Sequence, residues 1–288
     1  MIRPAREADR QTAAQIWRAC FTGDDDAYIA SFLDACFGQA RCLLDFEGTE
    51  PAAMVHLLPM ELRAGGRALP AQCLYAAATL PQCRGRGIMR RLIEASVHSG
   101  LEAGRAYTVL MPAAQSLYRF YAASGFRDVN ALRCASLSRA ELEAAAGGEP
   151  AAALLPPDYA RMEALRRRHF ENAALWEGAM PRFVFEEWTR TGGSALMSDE
   201  GYALVIMQED GLFVKELCAA GAPLRALLSA ILNLYGCERF RVFLPPDAVE
   251  IPGAGLVRAA MIRAAGEMDA HIARIIDHNK LYINMMLD

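Results

Sequence analysis

Residues 80–92 read LPQCRGRGIMRRL and are the most informative segment of the sequence. It connects an apolar run to a segment with apolar residues at helical spacing, and it carries four arginines and no acid. The first turn of a helix leaves backbone N–H groups unpaired and partly positive, while glycines let a ligand approach these amides closely. The stretch therefore predicts a strand, a glycine turn and a helix start that bind an anion such as a diphosphate.

Two other phosphate-binding motifs are excluded by the residues present. A Walker loop requires G-x-x-x-x-G-K-[ST], and the chain has no lysine before Lys215. A dinucleotide-binding fold requires G-x-G-x-x-G after the first strand of a parallel βαβ unit, whereas Gly85 and Gly87 are followed by Arg90 and come after a predicted antiparallel meander. A plain turn with solvated arginines stays open as the alternative.

The same residues resemble the R-x-x-G-x-[GA] loop of the GNAT N-acetyltransferase superfamily, with Met89 in place of the usual small residue. Residues 84–90 are also similar to the R-x-x-G-[LI]-[LM]-R pattern of its Eis-like branch. This resemblance implies an α/β (α+β) fold with two GNAT-like mixed-sheet domains in tandem, the second one degenerate. It also implies acetyl-CoA as co-substrate and assigns its pyrophosphate to the residues of the turn, which are Arg84, Gly85, Arg86, Gly87, Ile88 and Met89.

A second motif follows at residues 115–126, QSLYRFYAASGF, in which Tyr121 stands four residues before a Gly-Phe pair. By resemblance to the GNAT family, Tyr121 is the candidate general acid that protonates the leaving thiolate, and core packing is the alternative. A thiolate with a pKa near about 8.5 needs only a weak acid such as a phenol. The preceding strand, residues 74–80, corresponds to the one that pairs with the pantetheine arm, and the carried-over positions are Ala77 and Thr79.

The general base is harder to assign. An amine with a pKa near about 10.4 must lose a proton before it attacks, yet the strand at residues 74–80 contains no Asp or Glu. Glu61 and His56 are candidates that would act through water. The Eis-like resemblance adds the carboxylate of the terminal residue, Asp288, as a catalytic candidate.

Composition sets the wider limits. The 288 residues have a formal net charge of −4 and are 53% apolar, which excludes disordered and collagen-like classes and disfavours a nucleic-acid partner. A linker is predicted at residues 144–158, which contain small residues, Gly147-Gly148 and three prolines. We therefore predict a GNAT domain at residues 1–143 and a degenerate GNAT-like domain at residues 159–288. The first segment holds 16 basic and 15 acidic residues, and residues 144–288 hold 14 and 19.

The spacing of apolar residues, together with the glycines and prolines that end helices and strands, predicts the order β-α-α-β-β-β-α-β-α-β for the first domain. In the second domain the same features predict a hairpin at residues 202–208 and 212–218, a helix at 224–234, a strand at 240–244 and a last strand at 282–287. A hairpin, a helix and a strand thus recur in both halves, as in a diverged duplication. We expect Trp176, Trp188, Glu171, Glu177, Glu186 and Glu187 either to line an acceptor pocket or to form an ordinary helix face and core.

The eight cysteines contain no C-x-x-C pair, and no segment has about 20 uninterrupted apolar residues. We therefore expect a cytoplasmic protein with free thiols, no metal site and no membrane contact, and a homo-oligomer is left open. The predicted function is transfer of acetyl from acetyl-CoA to a primary amine of a small molecule, of aminoglycoside or polyamine type. The alternatives are a non-catalytic acyl-CoA-binding sensor or scaffold, and an N-acetyltransferase for peptides or proteins.

Overall fold

A computed structural model describes residues 1–38, 40–129, 132–245, 251 and 253–284. Its first elements follow the predicted order. They are β1 (Ile2–Pro4), α1 (Arg10–Cys20), α2 (Asp26–Cys36), β2 (Arg41–Glu47), β3 (Glu50–Ala64), β4 (Arg67–Thr79), α3 (Ile88–Glu102), β5 (Tyr107–Leu110), α4 (Gln115–Ala122) and β6 (Arg127–Val129).

The later elements include two short strands that the sequence patterns missed, β8 and β9. The full order is β7 (Leu132–Ser138), α5 (Arg139–Ala146), α6 (Tyr159–His169), β8 (Ala173–Trp176), α7 (Met180–Arg190), β9 (Ser194–Met197), β10 (Tyr202–Gln208), β11 (Gly211–Cys218), α8 (Gly221–Leu234), β12 (Arg239–Leu244), β13 (Gly255–Val257), β14 (Ala260–Ala264) and α9 (Ala270–Asp277). The strand predicted at residues 282–287 is represented by one isolated bridge from Tyr282 to Ala173, and residues 285–287 lie outside the described part.

The strands form two mixed sheets. The first has the order β1-β2-β3-β4-β5-β14-β6, with β8 pairing against β3, and the second has the order β13-β7-β12-β11-β10-β9. In each sheet an antiparallel hairpin is followed by a helix and by a strand parallel to the second hairpin strand: β3–β4, α3 and β5 in one, and β10–β11, α8 and β12 in the other. This repeated unit confirms two mixed-sheet domains of the same kind.

Two pairs of consecutive strands, β6 with β7 and β13 with β14, connect the sheets, because the members of each pair lie in different sheets. Strand β14 pairs antiparallel with β6 and also with β5 in the first sheet, while β13 pairs with β7 in the second. The strand pairing therefore crosses the linker predicted at residues 144–158: β7 precedes that linker but belongs to the second sheet, and β14 follows it but belongs to the first.

Each sheet buries a core on its helix-covered faces. In the first sheet, Trp17 and Phe32 from α1 and α2 pack on one face, and Leu92 and Ile93 from α3 pack on the other. In the second sheet, α5 and α8 cover one face, with Leu227 and Leu228 at the centre of its core. Within the described ranges, no helix is long and apolar enough to cross a membrane.

Candidate active site

Strand β4 carries a bulge near its carboxyl end. Met54 pairs with Ala78 and His56 pairs with Tyr75, so Val55 alone faces both Ala76 and Ala77. Ala76 has a φ of 48°, in the left-handed region that side chains rarely occupy. A bulge disrupts the ladder locally and redirects backbone groups away from the neighbouring strand. Ala77, a predicted cofactor-binding position, therefore lies where backbone polar groups are released from the sheet.

The same end of β4 separates from β5. The two strands pair in parallel only through Ala71–Tyr107, Gln72–Thr108 and Cys73–Val109, although β4 continues to Thr79. Among the described strands, none pairs with residues 74–79 on this side. A free strand edge offers N–H and C=O groups to an extended ligand, as in β-strand addition.

The glycine turn begins where this edge ends. Gly85 and Gly87 have φ values of 76° and 72°, and a Cβ atom on either would meet nothing within 4 Å. The amide of Arg91 donates to the Gly87 carbonyl at 3.2 Å, so the amides of residues 88–90 have no intrahelical partner. Met89 is half-buried and packs against the apolar cluster beneath α3, so its side chain leaves the turn uncovered.

The arginines of the turn are less free than the sequence suggested. Arg86 pairs with Glu47 at 2.7 Å and Arg91 with Asp45 at 3.3 Å, because β2 brings two carboxylates to this edge. Arg84 donates from Nε to the Thr79 carbonyl at 3.1 Å, which ties the turn to the end of β4. Arg90 is exposed, and no ion pair links it to the rest of the described chain. The local positive charge is therefore smaller than four arginines would give.

Tyr121 lies on α4 beside the gap between β4 and β5. It is 8% exposed and shares an apolar cluster with Leu74 and Leu110, the residues just past the last β4–β5 pair. Burial and, to a smaller extent, the neighbouring Cys73 thiol raise the pKa of its hydroxyl to about 12. Among the described residues this hydroxyl has no hydrogen-bond partner, whereas the Tyr118 hydroxyl donates to the Arg258 carbonyl at 3.0 Å.

The three candidate general bases, His56, Glu61 and Asp288, differ in burial, pairing and position. His56 is fully buried, both ring nitrogens lack a partner among the described residues, and burial lowers its pKa to about 3. Such a group is a poor proton acceptor for an amine. Glu61 pairs with Arg167 at 2.7 Å and lies opposite Pro70, far along β3 from the bulge. Asp288 lies outside the described residues.

A polar cluster that the sequence patterns missed lies on the other side of the bulge. The Tyr28 hydroxyl of α2 hydrogen-bonds the hydroxyl of Tyr75, the residue before the bulge. Asp24, in the loop between α1 and α2, accepts a hydrogen bond from Trp17 Nε1 at 2.7 Å. Burial chiefly, and the charge of Asp24 to a smaller extent, raise the pKa of both tyrosines. We name Asp24, Tyr28 and Tyr75 the acceptor-side cluster. No spacing rule connects these residues, because they lie far apart in the chain.

Helix α7 of the second half supports this cluster. Phe183 packs edge-on against Phe32, with ring centroids 5.6 Å apart, and against Tyr28 at 6.0 Å. Glu187 accepts hydrogen bonds from Ser31 Oγ at 2.8 Å and from Arg190 Nε at 2.7 Å. Of the tryptophans and acids considered for an acceptor pocket, Glu187 hydrogen-bonds α2 through Ser31. In the same set Trp176 is buried, Glu177 pairs with Arg105 and Glu186 with Arg182.

The corresponding turn of the second half has no anion site of the same kind. Helix α8 begins at Gly221 after two alanines, without an arginine in its first turn, and Arg225 lies 3.5 Å from Glu149. Nor do the described residues hold a group of three or more His, Cys, Asp or Glu side chains able to bind a metal ion.

The first sheet holds a bulged, separated strand that ends in a glycine turn, and its hairpin, helix and parallel strand recur in the second sheet, an architecture consistent with tandem GNAT-like domains. Residues 1–127 match the family model of the acetyltransferase (GNAT) domain. No protein of curated function matches the sequence.

Three solved structures share the fold over 92% of this chain. A GCN5-related N-acetyltransferase from Kribbella flavida has a TM-score of 0.71 and 17% identity, with 72% of that chain covered. One from Anabaena variabilis has a TM-score of 0.70 and 17% identity, with 73% covered. Eis1 from Mycobacterium abscessus has a TM-score of 0.68 and 16% identity, with 74% covered. At these identities the similarity concerns the fold.

Proposed function

We propose that the protein is an acetyl-CoA-dependent N-acetyltransferase that transfers acetyl directly to a primary amine of a small molecule. One observation carries the proposal: the edge of β4 at residues 74–79 is free of a strand partner and ends in the glycine turn, within the described structure. A linear ligand with a diphosphate at one end matches this layout, because the edge and the unpaired amides form one continuous polar track.

The residues present fit coenzyme A in two further respects. Thr79 Oγ1 is buried and lacks a hydrogen-bond partner among the described residues, at the point where the track turns from strand to helix. A buried hydroxyl without a partner costs about 1–3 kcal/mol, which a bound polar ligand would recover. The space beside Gly85 and Gly87 also leaves their backbone accessible, as close contact with a pyrophosphate requires.

The chemistry follows from the groups around the gap. The amine nitrogen attacks the thioester carbonyl carbon, a C–N bond forms, and the C–S bond breaks with its electron pair on sulfur. Backbone amides released at the bulge stabilise the carbonyl oxygen as it gains negative charge. Tyr121 holds a proton at neutral pH because its pKa is about 12, and its hydroxyl donates this proton or a hydrogen bond to the leaving thiolate. Burial also raises the pKa of a thiol, which favours the transfer.

The acceptor-side cluster favours a cationic amine. Asp24 is exposed and accepts a hydrogen bond from the Trp17 indole N–H. Within the described chain it makes no ion pair. A free carboxylate at the mouth of an aromatic cluster attracts an alkylammonium group, and the hydroxyls of Tyr28 and Tyr75 offer acceptors to its N–H groups. We retain the carboxylate of Asp288 as the proposed proton acceptor for the amine.

Thiol release from acetyl-CoA with a panel of polyamines and aminoglycosides tests the proposal. We expect turnover with at least one amine, and at least a tenfold loss of kcat in Tyr121→Phe because the thiolate loses its proton donor. Tyr118→Phe is the matched control: it removes a hydroxyl on the same helix that bonds the Arg258 carbonyl, and kcat should persist. Full turnover in Tyr121→Phe contradicts the acid assignment. Binding of acetyl-CoA without turnover across the panel favours the sensor alternative.

A further inference from the structure

The second sheet carries a polar groove far along the sequence from the glycine turn. It has a volume of about 320 Å³ and lies where β11 and β12 begin and β7 ends. Its polar lining comes from Ser136, Ser138, Gln208, Asp210, Arg239 and Arg241. Small-molecule sites have volumes of about 300–1,000 Å³, so the groove lies at the small end of that range.

The alternation of β12 places both arginines on one face. Phe240 and Val242 point into the core beneath α5 and α8, so Arg239 and Arg241 point to the opposite face, about 7 Å apart along the strand. Across the strand pair, Arg239 lies opposite Ser138 and Arg241 opposite Ser136. Each guanidinium thus has a hydroxyl across the sheet, and directly opposed residues have Cβ atoms about 5 Å apart.

The Arg241 guanidinium is held in place by aromatic rings. It stacks over Phe213 at 4.1 Å from the ring centroid and lies 5.8 Å from that of Phe243. The Lys215 ammonium, on a buried side chain, lies 5.9 and 5.7 Å from the same two rings. A stacked guanidinium loses less conformational freedom on binding than a free one and still presents donors at its edge.

The charge of these arginines is not neutralised by the structure that surrounds them. Asp210 lines the groove, but within the described residues neither arginine has a carboxylate at ion-pair distance. Two like charges placed close together without a carboxylate at ion-pair distance favour a shared anion. This contrasts with residues 144–288 as a whole, in which 19 acids outnumber 14 basic residues.

We propose that this groove, which we name the second-sheet groove, binds a small molecule through a phosphate group. Phosphate has three oxygens that can accept from two guanidinium forks at once and from the Ser136 hydroxyl, whereas the Ser138 hydroxyl donates to Glu141 Oε2 at 2.7 Å. The site is separate from the proposed acetyl-transfer site, because it lies on the other sheet and uses none of the residues of the glycine turn.

Arginine side-chain NMR on the full chain tests the proposal with inorganic phosphate as the probe. We expect the Nε–Hε signals of Arg239 and Arg241, and the backbone amide signals of Ser136 and Ser138 opposite them, to shift and saturate. Arg239→Gln with Arg241→Gln together should weaken this binding at least tenfold, measured at the two serine amides, which the double variant retains. Arg168→Gln is the matched control, because Arg168 is also exposed and has no ion pair in the described chain. Since the signals report position, phosphate bound at the glycine turn does not obscure the result.

Succinate titrated in parallel distinguishes phosphate from carboxylate recognition. Saturation with phosphate that persists in Arg168→Gln and is lost in the double variant supports the proposal, and an otherwise unchanged spectrum shows that the variant is folded. Saturation with succinate but not phosphate overturns the assignment. A drift without saturation, equal in size at Arg168, overturns the site itself.

Discussion

His56 is a titratable side chain that the fold buries completely among Trp17, Phe32 and Phe37. Burial lowers its pKa from 6.5 to about 3, so the unfolded chain binds a proton in a pH range where the folded chain does not. Stability therefore falls as the pH drops from about 6.5 towards 3, with a limiting slope of about 1.4 kcal/mol per pH unit.

We expect His56→Leu to flatten this part of the pH profile, measured as the free energy of unfolding in urea from pH 7 to pH 4. The substitution also removes two buried nitrogens without partners in the described chain, so stability at acidic pH should rise relative to the original protein. His98→Gln, at a side chain 73% exposed, is the control and should leave the profile unchanged. An identical acid slope in His56→Leu would show that other groups set it.

Tyr121 makes a second prediction at the residue scale. Its pKa of about 12 keeps the hydroxyl protonated over the whole accessible pH range, whereas an ordinary phenol loses its proton near about pH 10. We expect kcat for acetyl transfer to show no decline due to tyrosine ionisation below about pH 10.5. A fall of kcat with an apparent pKa near 10, absent from Tyr121→Phe, would contradict the burial of this hydroxyl.

At the scale of elements, the turn before α3 depends on glycine backbone geometry. Gly87 stands before the first residue of α3 with a φ of 72°, a conformation that costs an alanine about 1–2 kcal/mol. Gly104 follows the same helix with a φ of 74° and equally open surroundings. Both alanine substitutions should lower the melting temperature by similar amounts.

The affinity for acetyl-CoA should separate these two variants. We expect Gly87→Ala to weaken binding at least tenfold in calorimetry, because a methyl group enters the space beside the unpaired amides. Gly104→Ala should bind normally, since it lies at the opposite end of α3. Equal affinities would mean that the pyrophosphate does not contact this turn.

The elements also show what sequence patterns predict and what they miss. Long periodic segments such as α8 and the β10–β11 hairpin lie within a few residues of their predicted bounds, because their burial follows one repeat. Strands β8 and β9 were not predicted because each has four residues, which is too few to show an alternation of apolar and polar residues. The bulge at Ala76 was missed because it depends on pairing with β3. The grouping of Asp24 and Tyr28 with Tyr75 was not predicted from the sequence, because only the tertiary fold brings these residues together.

At the scale of the whole molecule, the two halves complete each other's sheets. Strand β14 lies between β5 and β6, so a fragment ending at residue 143 would leave both of these strands with an unpaired edge. We expect residues 1–143 expressed alone to aggregate, as judged by solubility and size-exclusion chromatography. Co-expression with residues 144–288 should restore soluble material. A soluble, monomeric fragment 1–143 would show that β14 is dispensable.

The pairing of β14 with β6 also affects when the first sheet can form during synthesis of the chain. Strand β6 ends at Val129, and the strand that pairs with it begins at Ala260, about 130 residues later. Translation proceeds at about 5–20 residues per second, so the first sheet waits on the order of ten seconds for its missing strand. The first sheet therefore cannot be completed until the ribosome has made the second half, and the edges of β5 and β6 stay without β14 during this interval.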